Sequence, residues 1–195
     1  MTAFSFVLFI HVLSAITVCV ALVLEGVILL RMRSADNHDQ LRFPAHAFRR
    51  LGPIYGVAFA GILPGGIYLA AELQLRASWV PMALGATLLF LAVGGIVTGR
   101  RMSRIRRALD KSDQPFESLA IVASSNALVV SYGFRAGLLI GILFLMAATP
   151  PPLASLLALS ATAVAGVLLA LRLRRISVNN NCFRAQPRAE GVARS

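Results

Sequence analysis

The chain has 195 residues, of which 57% are hydrophobic and 14% are charged, and its formal net charge is +11. Soluble proteins average about 25% charged residues, so this composition leaves too few charges to cover the surface of a soluble globule. The basic residues lack interleaved aromatic residues and nucleic-acid-binding motifs. Composition and charge therefore favour a membrane protein over a soluble domain or a nucleic-acid-binding protein.

Five apolar runs are each long enough to cross a bilayer, which takes about 20 helical residues. They predict transmembrane helices over about 4–30, 53–73, 79–97, 129–148 and 153–171. The first run has no basic start and is longer than the core of a signal peptide, so we interpret it as a retained helix. The predicted fold class is all-α, a polytopic membrane helix bundle of about five transmembrane helices.

Polar residues and prolines set the limits of the last two spans. Polar residues interrupt the chain between 118 and 128, so we expect an interfacial or continuous helical turn before the fourth span. Three consecutive prolines at 150–152 end that span, because they cannot continue a helix. We predict a single transmembrane helical domain over 1–175 and a disordered polar cytoplasmic tail over 176–195.

Basic residues are concentrated in three segments outside the apolar runs. All of them except Arg76 and Arg135 lie in 31–50, 100–111 or 172–194. Cytoplasmic loops carry an excess of Lys and Arg, and five spans put these three segments on one side of the membrane. We predict that the N-terminus is outside and the C-terminus cytoplasmic. The expected partner is a cell (inner or plasma) membrane with anionic lipids at its cytoplasmic face.

Small residues recur every four positions in several spans. Such ridges let helix backbones approach closely, which is how membrane helices pack without a hydrophobic driving force. The ridges predict that the fourth and fifth spans are in contact within one bundle, which we favour over a dimerisation face. The residues assigned to helix packing are Gly61, Gly65, Gly133, Gly137, Gly141 and Gly166.

Glu25 and Arg135 are charged residues inside apolar runs. A charge at membrane depth is costly, so it is usually paired, extended towards the interface or functional. At 100° per residue, Ser131 and Arg135 share a polar stripe that faces away from the glycine ridge of the fourth span. The stripe predicts either an anion contact or, as we favour, an arginine that reaches the cytoplasmic headgroups. Glu25 is predicted to pair with an arginine of the neighbouring basic loop.

His11 lies in the first span, about 21 Å along the helix from Glu25 at 1.5 Å per residue, so the two side chains cannot touch. A histidine at this depth suits an axial haem ligand or a proton path. A bis-histidine haem needs a second histidine at similar depth, whereas His38 and His46 lie in the first basic loop. We favour a hydrogen bond to a neighbouring helix and keep haem as the cofactor alternative.

Motifs for enzymatic chemistry are absent from the sequence. It has no Walker loop and no GxSxG or HExxH motif, and its two cysteines have no metal-ligand spacing. No catalytic residue and no metal ligand are assigned, and a non-enzymatic role is favoured. Basic residues follow one face of the segment from Arg100 to Lys111, which predicts a helix lying on the inner leaflet.

Short motifs resemble an uncharacterised family of small prokaryotic multi-pass membrane proteins, a domain of unknown function, over roughly 4–152. They are His11 to Ala15, Arg50 to Pro53, Gly61 to Leu69, Trp79, the pair Arg100 and Arg101, and Arg135 with Leu143 to Met146. The first helix is also similar to copper-resistance protein D-like domains. It is similar to haem-linked protoporphyrinogen oxidases as well, but a tryptophan and a lysine of their pattern are missing. The resemblance implies a membrane bundle and carries over no activity.

Three functions are compatible with these features. The favoured one is a non-enzymatic bundle acting as an accessory, scaffold or small transport component. The alternatives are a haem- or metal-linked redox protein that uses His11, and a small solute or ion carrier that uses Arg135 and Glu25. Partners other than lipid are a second copy of the chain or another membrane subunit.

Overall fold

The computed structural model describes residues 2–73, 79–111, 119, 121–122 and 125–192; it does not describe the side chains of 111 and of 175–192. The helices are α1 (Ala3–Arg33), α2 (His38–Glu72), α3 (Trp79–Val93), α4 (Arg100–Lys111), α5 (Asn126–Ala148) and α6 (Pro152–Val192). A π-helical segment, Gly94–Gly99, joins α3 to α4 without a break. Within the described ranges every regular element is helical.

Five stretches of helix are long and apolar enough to cross a membrane. They are Ala3–Arg33, His38–Glu72, Trp79–Asp110, Asn126–Ala148 and Pro152–Arg174. Each contains an apolar window of 18 residues with at most two charged residues, and the mean hydropathies range from 1.6 to 2.7. The predicted all-α membrane helix bundle with five spans is confirmed.

Two helices are longer than the spans predicted for them. α2 begins at His38, where the side chain of Asn37 accepts a hydrogen bond of 2.9 Å from the backbone N–H of Gln40. Its first turns are helical because Leu41 and Ala45 are fully buried on one face. The backbone of α6 is helical as far as Val192, whereas we predicted a disordered tail over 176–195. The stretch 167–186 contains neither glycine nor proline to stop the helix, whereas Pro187 and Gly191 lie within its last turns.

The helices pack as two hairpins with α3 between them. α1 packs along α2, α5 packs along α6, and α3 contacts both α5 and α6. One apolar core contains side chains from all five spans, among them Val18, Phe59, Phe90, Leu145 and Ala163. Most other large apolar side chains of α1 and α6 are exposed on the outside of the bundle, as expected for helices surrounded by lipid.

A second apolar core joins the basic ends of the helices. Met102, Ile105 and Leu109 of α4 are buried against Leu29 of α1 and Leu41 of α2. The sequence predicted that 100–111 lies on the inner leaflet. That interpretation is wrong, because the apolar face that would contact lipid is covered by other helices. Instead, α4 continues α3 and leaves its arginines on the outer side of the bundle.

The glycine ridge of α5 lies directly against α6. A side chain at Gly133 would meet the carbonyl carbon of Gly166 at 3.1 Å, and one at Gly141 would meet Thr162 Oγ1 at 2.6 Å. In the other hairpin, the Cβ position of Gly61 faces Ser14 and that of Gly65 lies 3.4 Å from His11 Cβ. The small residues therefore bring helix backbones together within each hairpin.

Replacing Gly137 by alanine tests this close approach. The new Cβ would overlap the carbonyl oxygen of Thr162 and lie 2.8 Å from the Cα of Ala163, so the helices must separate. We expect Gly137→Ala to destabilise the bundle by about 1–3 kcal/mol in denaturant unfolding in detergent. Gly85→Ala is the matched control, since no atom lies within 4 Å of its Cβ position. Equal stabilities for the two variants would contradict the packing.

Candidate functional site

The charged residues Glu25 of α1 and Arg135 of α5 form a buried ion pair. Arg135 Nη1 donates a hydrogen bond of 3.0 Å to Glu25 Oε2, and Nη2 donates to Oε1. The residues are 0% and 2% exposed, so neither charge reaches solvent or lipid. Two parallel hydrogen bonds between a guanidinium and a carboxylate are the strongest arrangement available to such a pair.

The pair lies well inside the membrane-spanning part of both helices. Glu25 is eight residues from Arg33 at the end of α1, which is about 12 Å along the axis. Arg135 is nine residues from Asn126 at the start of α5, or about 14 Å. The favoured interpretation of Arg135 as reaching the headgroups is therefore wrong, and so is the pairing of Glu25 with a loop arginine. Each charge instead satisfies the other across the interior.

Neutral side chains from α2, α5 and the π segment complete the site. The hydroxyl of Tyr55 in α2 donates a hydrogen bond of 3.0 Å to Glu25 Oε2. Arg135 Nη2 donates to Thr98 Oγ1 at 3.4 Å, and the hydroxyls of Thr98 and Ser131 are 2.9 Å apart. The network thus joins α1, α2, α5 and the π segment, which are far apart along the chain.

The π segment shapes the wall against which the guanidinium lies. A Cβ at Gly94 would be 3.1 Å from Arg135 Nη1, so a larger residue there would press on the guanidinium. The ring of Phe90 lies below it, with the guanidinium carbon 5.4 Å from the ring centroid, which allows a cation–π interaction. Thr98 is completely buried at the other end of the segment. Single turns of π-helix occur frequently at functional sites.

One polar atom of the site has no partner. Arg135 Nε is buried and donates no hydrogen bond to any described residue. An unsatisfied buried donor costs about 1–3 kcal/mol, more for a charged group. The Nε–H of Arg135 therefore remains free for a further acceptor.

His11 belongs to a different part of the bundle. Its Nδ1 lies 3.1 Å from the carbonyl oxygen of Ile62, and its ring packs against Gly65 and Gly66. The bond supports our interpretation of His11 as a hydrogen-bonding link between α1 and α2. An adjoining cavity of about 30 Å³ reaches from His11 to Phe90. That volume holds about one water molecule, and a haem would not fit in it.

The structure brings together three of the four polar residues singled out in the sequence, namely Glu25, Ser131 and Arg135, and leaves His11 apart. Ser124, which the same spacing of 100° per residue places on the stripe of Ser131 and Arg135, lies outside the described residues. Sequence reasoning missed Tyr55, a neutral residue within the second apolar run, and Thr98, which lies one residue beyond the third. The Gly94–Gly95 pair before Thr98 was the available signal for this side of the site, and the Cβ position of Gly95 faces open space.

Comparisons with protein-family models, with curated proteins and with solved structures find no match to this chain. The chemistry of the site is therefore argued from its geometry. The buried carboxylate can exchange a proton with a substrate only if the ion pair separates, because Glu25 and Arg135 are each other's main partners. While it is closed, the network links four parts of the bundle.

A double-mutant cycle measures how strongly the pair couples the helices. Arg135→Met leaves a buried carboxylate without its partner, and Glu25→Leu leaves a buried guanidinium, so each should cost about 3–5 kcal/mol of unfolding free energy. The double variant removes both charges and should be more stable than either single variant. The measurement is denaturant unfolding in detergent.

The exposed pair between His46 Nε2 and Asp110 Oδ1, at 3.3 Å, is the control. The corresponding cycle with alanine substitutions should give a coupling of no more than about 1 kcal/mol, because water screens exposed charges. Additive effects of Glu25→Leu and Arg135→Met would contradict the pairing.

Proposed function

We propose that this protein is a non-enzymatic bundle of the plasma membrane, an accessory or scaffold subunit whose arrangement is held by the Glu25–Arg135 pair. One observation carries the proposal. Both charges are buried, and the main partner of each is the other, with hydroxyl groups from different helices hydrogen-bonded to the pair. A site that performs chemistry on a substrate needs access to the reacting groups, whereas a structural link needs enclosure.

The energetics of the membrane interior support a linking role. Separating the pair would leave two unpaired charges in a region of low dielectric constant, which costs several kcal/mol for each ion. Sliding or rotating α1 against α5 by one residue would break the bidentate contact. Buried polar pairs act in this way to specify the register of helices, at some expense of stability. A subunit that offers a fixed surface to a partner needs such a register.

A second candidate is a small solute or ion carrier. The observation in its favour is the free N–H at Arg135 Nε together with hydroxyls that continue towards the basic end of the bundle. The hydroxyls of Thr98 and Ser131 lie next to the pair on the side of this basic end. Beyond them, Arg101 Nη1 donates a hydrogen bond of 3.2 Å to Ser125 Oγ near the start of α5. Protonation of Glu25 would release the guanidinium to bind an anion. The redox alternative at His11 has no comparable support.

Flux measurements distinguish the scaffold from the carrier. In proteoliposomes with an imposed pH or chloride gradient, we expect wild-type flux equal to that of protein-free liposomes, because the pair stays closed. Glu25→Gln, which keeps the side-chain shape, serves as the matched variant. Wild-type flux that disappears in Glu25→Gln and in Arg135→Met would overturn the scaffold proposal in favour of the carrier.

The proposed orientation, with the N-terminus outside and the C-terminus in the cytoplasm, rests on the three basic segments and the positive-inside rule. In a Cys19→Ser background, Cys182 should react with a membrane-impermeant maleimide in inside-out vesicles and not in intact cells. A control variant, Thr2→Cys with Cys182→Ser, should show the reverse pattern. Labelling of Cys182 from outside the cell would overturn the orientation.

We also propose a family for this chain. The short motifs from His11 to Met146 support a place among the small prokaryotic membrane proteins of unknown function, with a first helix like that of copper-resistance protein D-like domains. A second copy of the chain or another membrane subunit is the partner that a scaffold requires.

A further inference from the structure

An elongated groove of about 320 Å³ runs between α1, α5 and α6. Its walls are aliphatic side chains, including Val23, Val27, Leu128 and Leu173. The volume falls within the range of roughly 300–1,000 Å³ that is typical of small-molecule sites. The groove is lined by residues of three membrane-spanning helices, α1, α5 and α6, so its neighbour is lipid.

The length of the groove matches one leaflet of a bilayer. It follows α1 from Val23 to Arg33, ten residues that rise about 15 Å. Half of a hydrocarbon core about 30 Å thick is the same length. An acyl chain that enters from the surface would therefore pass Gly26, where the Tyr132 hydroxyl occupies the space that a side chain would need, and end beside Val23.

Two arginines flank the shallow end. Arg33 of α1 and Arg174 of α6 both line the groove, and their positive charges repel each other. Both are partly buried, in contrast to Arg31 and Arg172 on the same helices, which are exposed. Among the side chains that the structure describes, no acidic residue lines the groove and none forms an ion pair with either arginine. An anion between the two guanidinium groups would remove the repulsion.

We propose that this groove binds one anionic phospholipid, with an acyl chain along its aliphatic walls and the headgroup phosphate between Arg33 and Arg174. Basic pockets between transmembrane helices bind anionic headgroups by this combination of charge and apolar contact. The site lies in the cytoplasmic leaflet in the orientation proposed above. Its existence does not depend on the scaffold function.

Native mass spectrometry of the purified full chain tests the site. The probes are phosphatidylglycerol and phosphatidylcholine with identical acyl chains, which differ in net headgroup charge. We expect wild type to bind the first phosphatidylglycerol at least tenfold more tightly than phosphatidylcholine. The double substitution Arg33→Gln and Arg174→Gln should abolish this preference. The matched control, Arg31→Gln with Arg172→Gln, removes the same charge from exposed positions and should change binding less than twofold.

A second variant examines the acyl-chain part of the site. Val27→Trp fills the groove and leaves both arginines in place, so it should weaken phosphatidylglycerol binding at least fivefold. If the double arginine variant does not fold, the binding of phosphatidylglycerol by Val27→Trp tests the proposal instead, and unchanged binding would overturn it. Equal binding of the two lipids by wild type would overturn the proposal, as would equal losses in the test and control arginine pairs. Displacement of the lipid by inorganic phosphate at equal concentration would show a free-anion site instead.

Discussion

Burial of two opposite charges in the interior is the constraint on which the arrangement of this bundle depends. Glu25 and Arg135 are 110 residues apart in sequence and lie on helices of different hairpins, yet each has its main partner in the other. Lipid offers no alternative hydrogen-bond partners at that depth, so the helices must meet where the charges meet. Tyr55 and Thr98 then connect α2 and the π segment to the same point. Apolar packing alone would leave the relative heights of these helices poorly defined, because aliphatic side chains contact one another in many registers.

Much of the bundle was predictable from local patterns. Length and hydropathy predict the five spans, because a helix that crosses hydrocarbon must be apolar over about 20 residues. The glycine spacing of α5 and α6 predicts a contact that the structure contains, because residues four apart share a helix face whatever the surrounding fold. The polar character of Glu25 and Arg135 was also visible. Their pairing was not, since it depends on the rotation and height of two separate helices. Tyr55 gave no signal, because a hydroxyl in an apolar run is common, and Thr98 was marked only by the Gly94–Gly95 pair before it.

The two hairpins use small residues and polar residues for different purposes. Between α5 and α6, glycines bring backbones so close that a methyl group at Gly137 has no room. Across the hairpins, the contacts are made by long side chains, and the ion pair lies at this wider interface. Close backbone contact therefore defines each hairpin, and charge pairing aligns one hairpin with the other. The groove between α1 and α6 lies where neither glycine contacts nor the ion pair bring the helices together.

The π segment has a consequence for the geometry of α4. A π turn accommodates an additional residue relative to an α-helix, and each residue advances an α-helix by 100°. If one residue were deleted between Gly94 and Gly99, the helix beyond would rotate by roughly that angle. Met102, Ile105 and Leu109 would then leave the second apolar core, and arginines would turn towards it. Loss of this one residue would thus disrupt packing about a dozen residues further along the chain. A natural variant without it would need its apolar residues at different positions of α4.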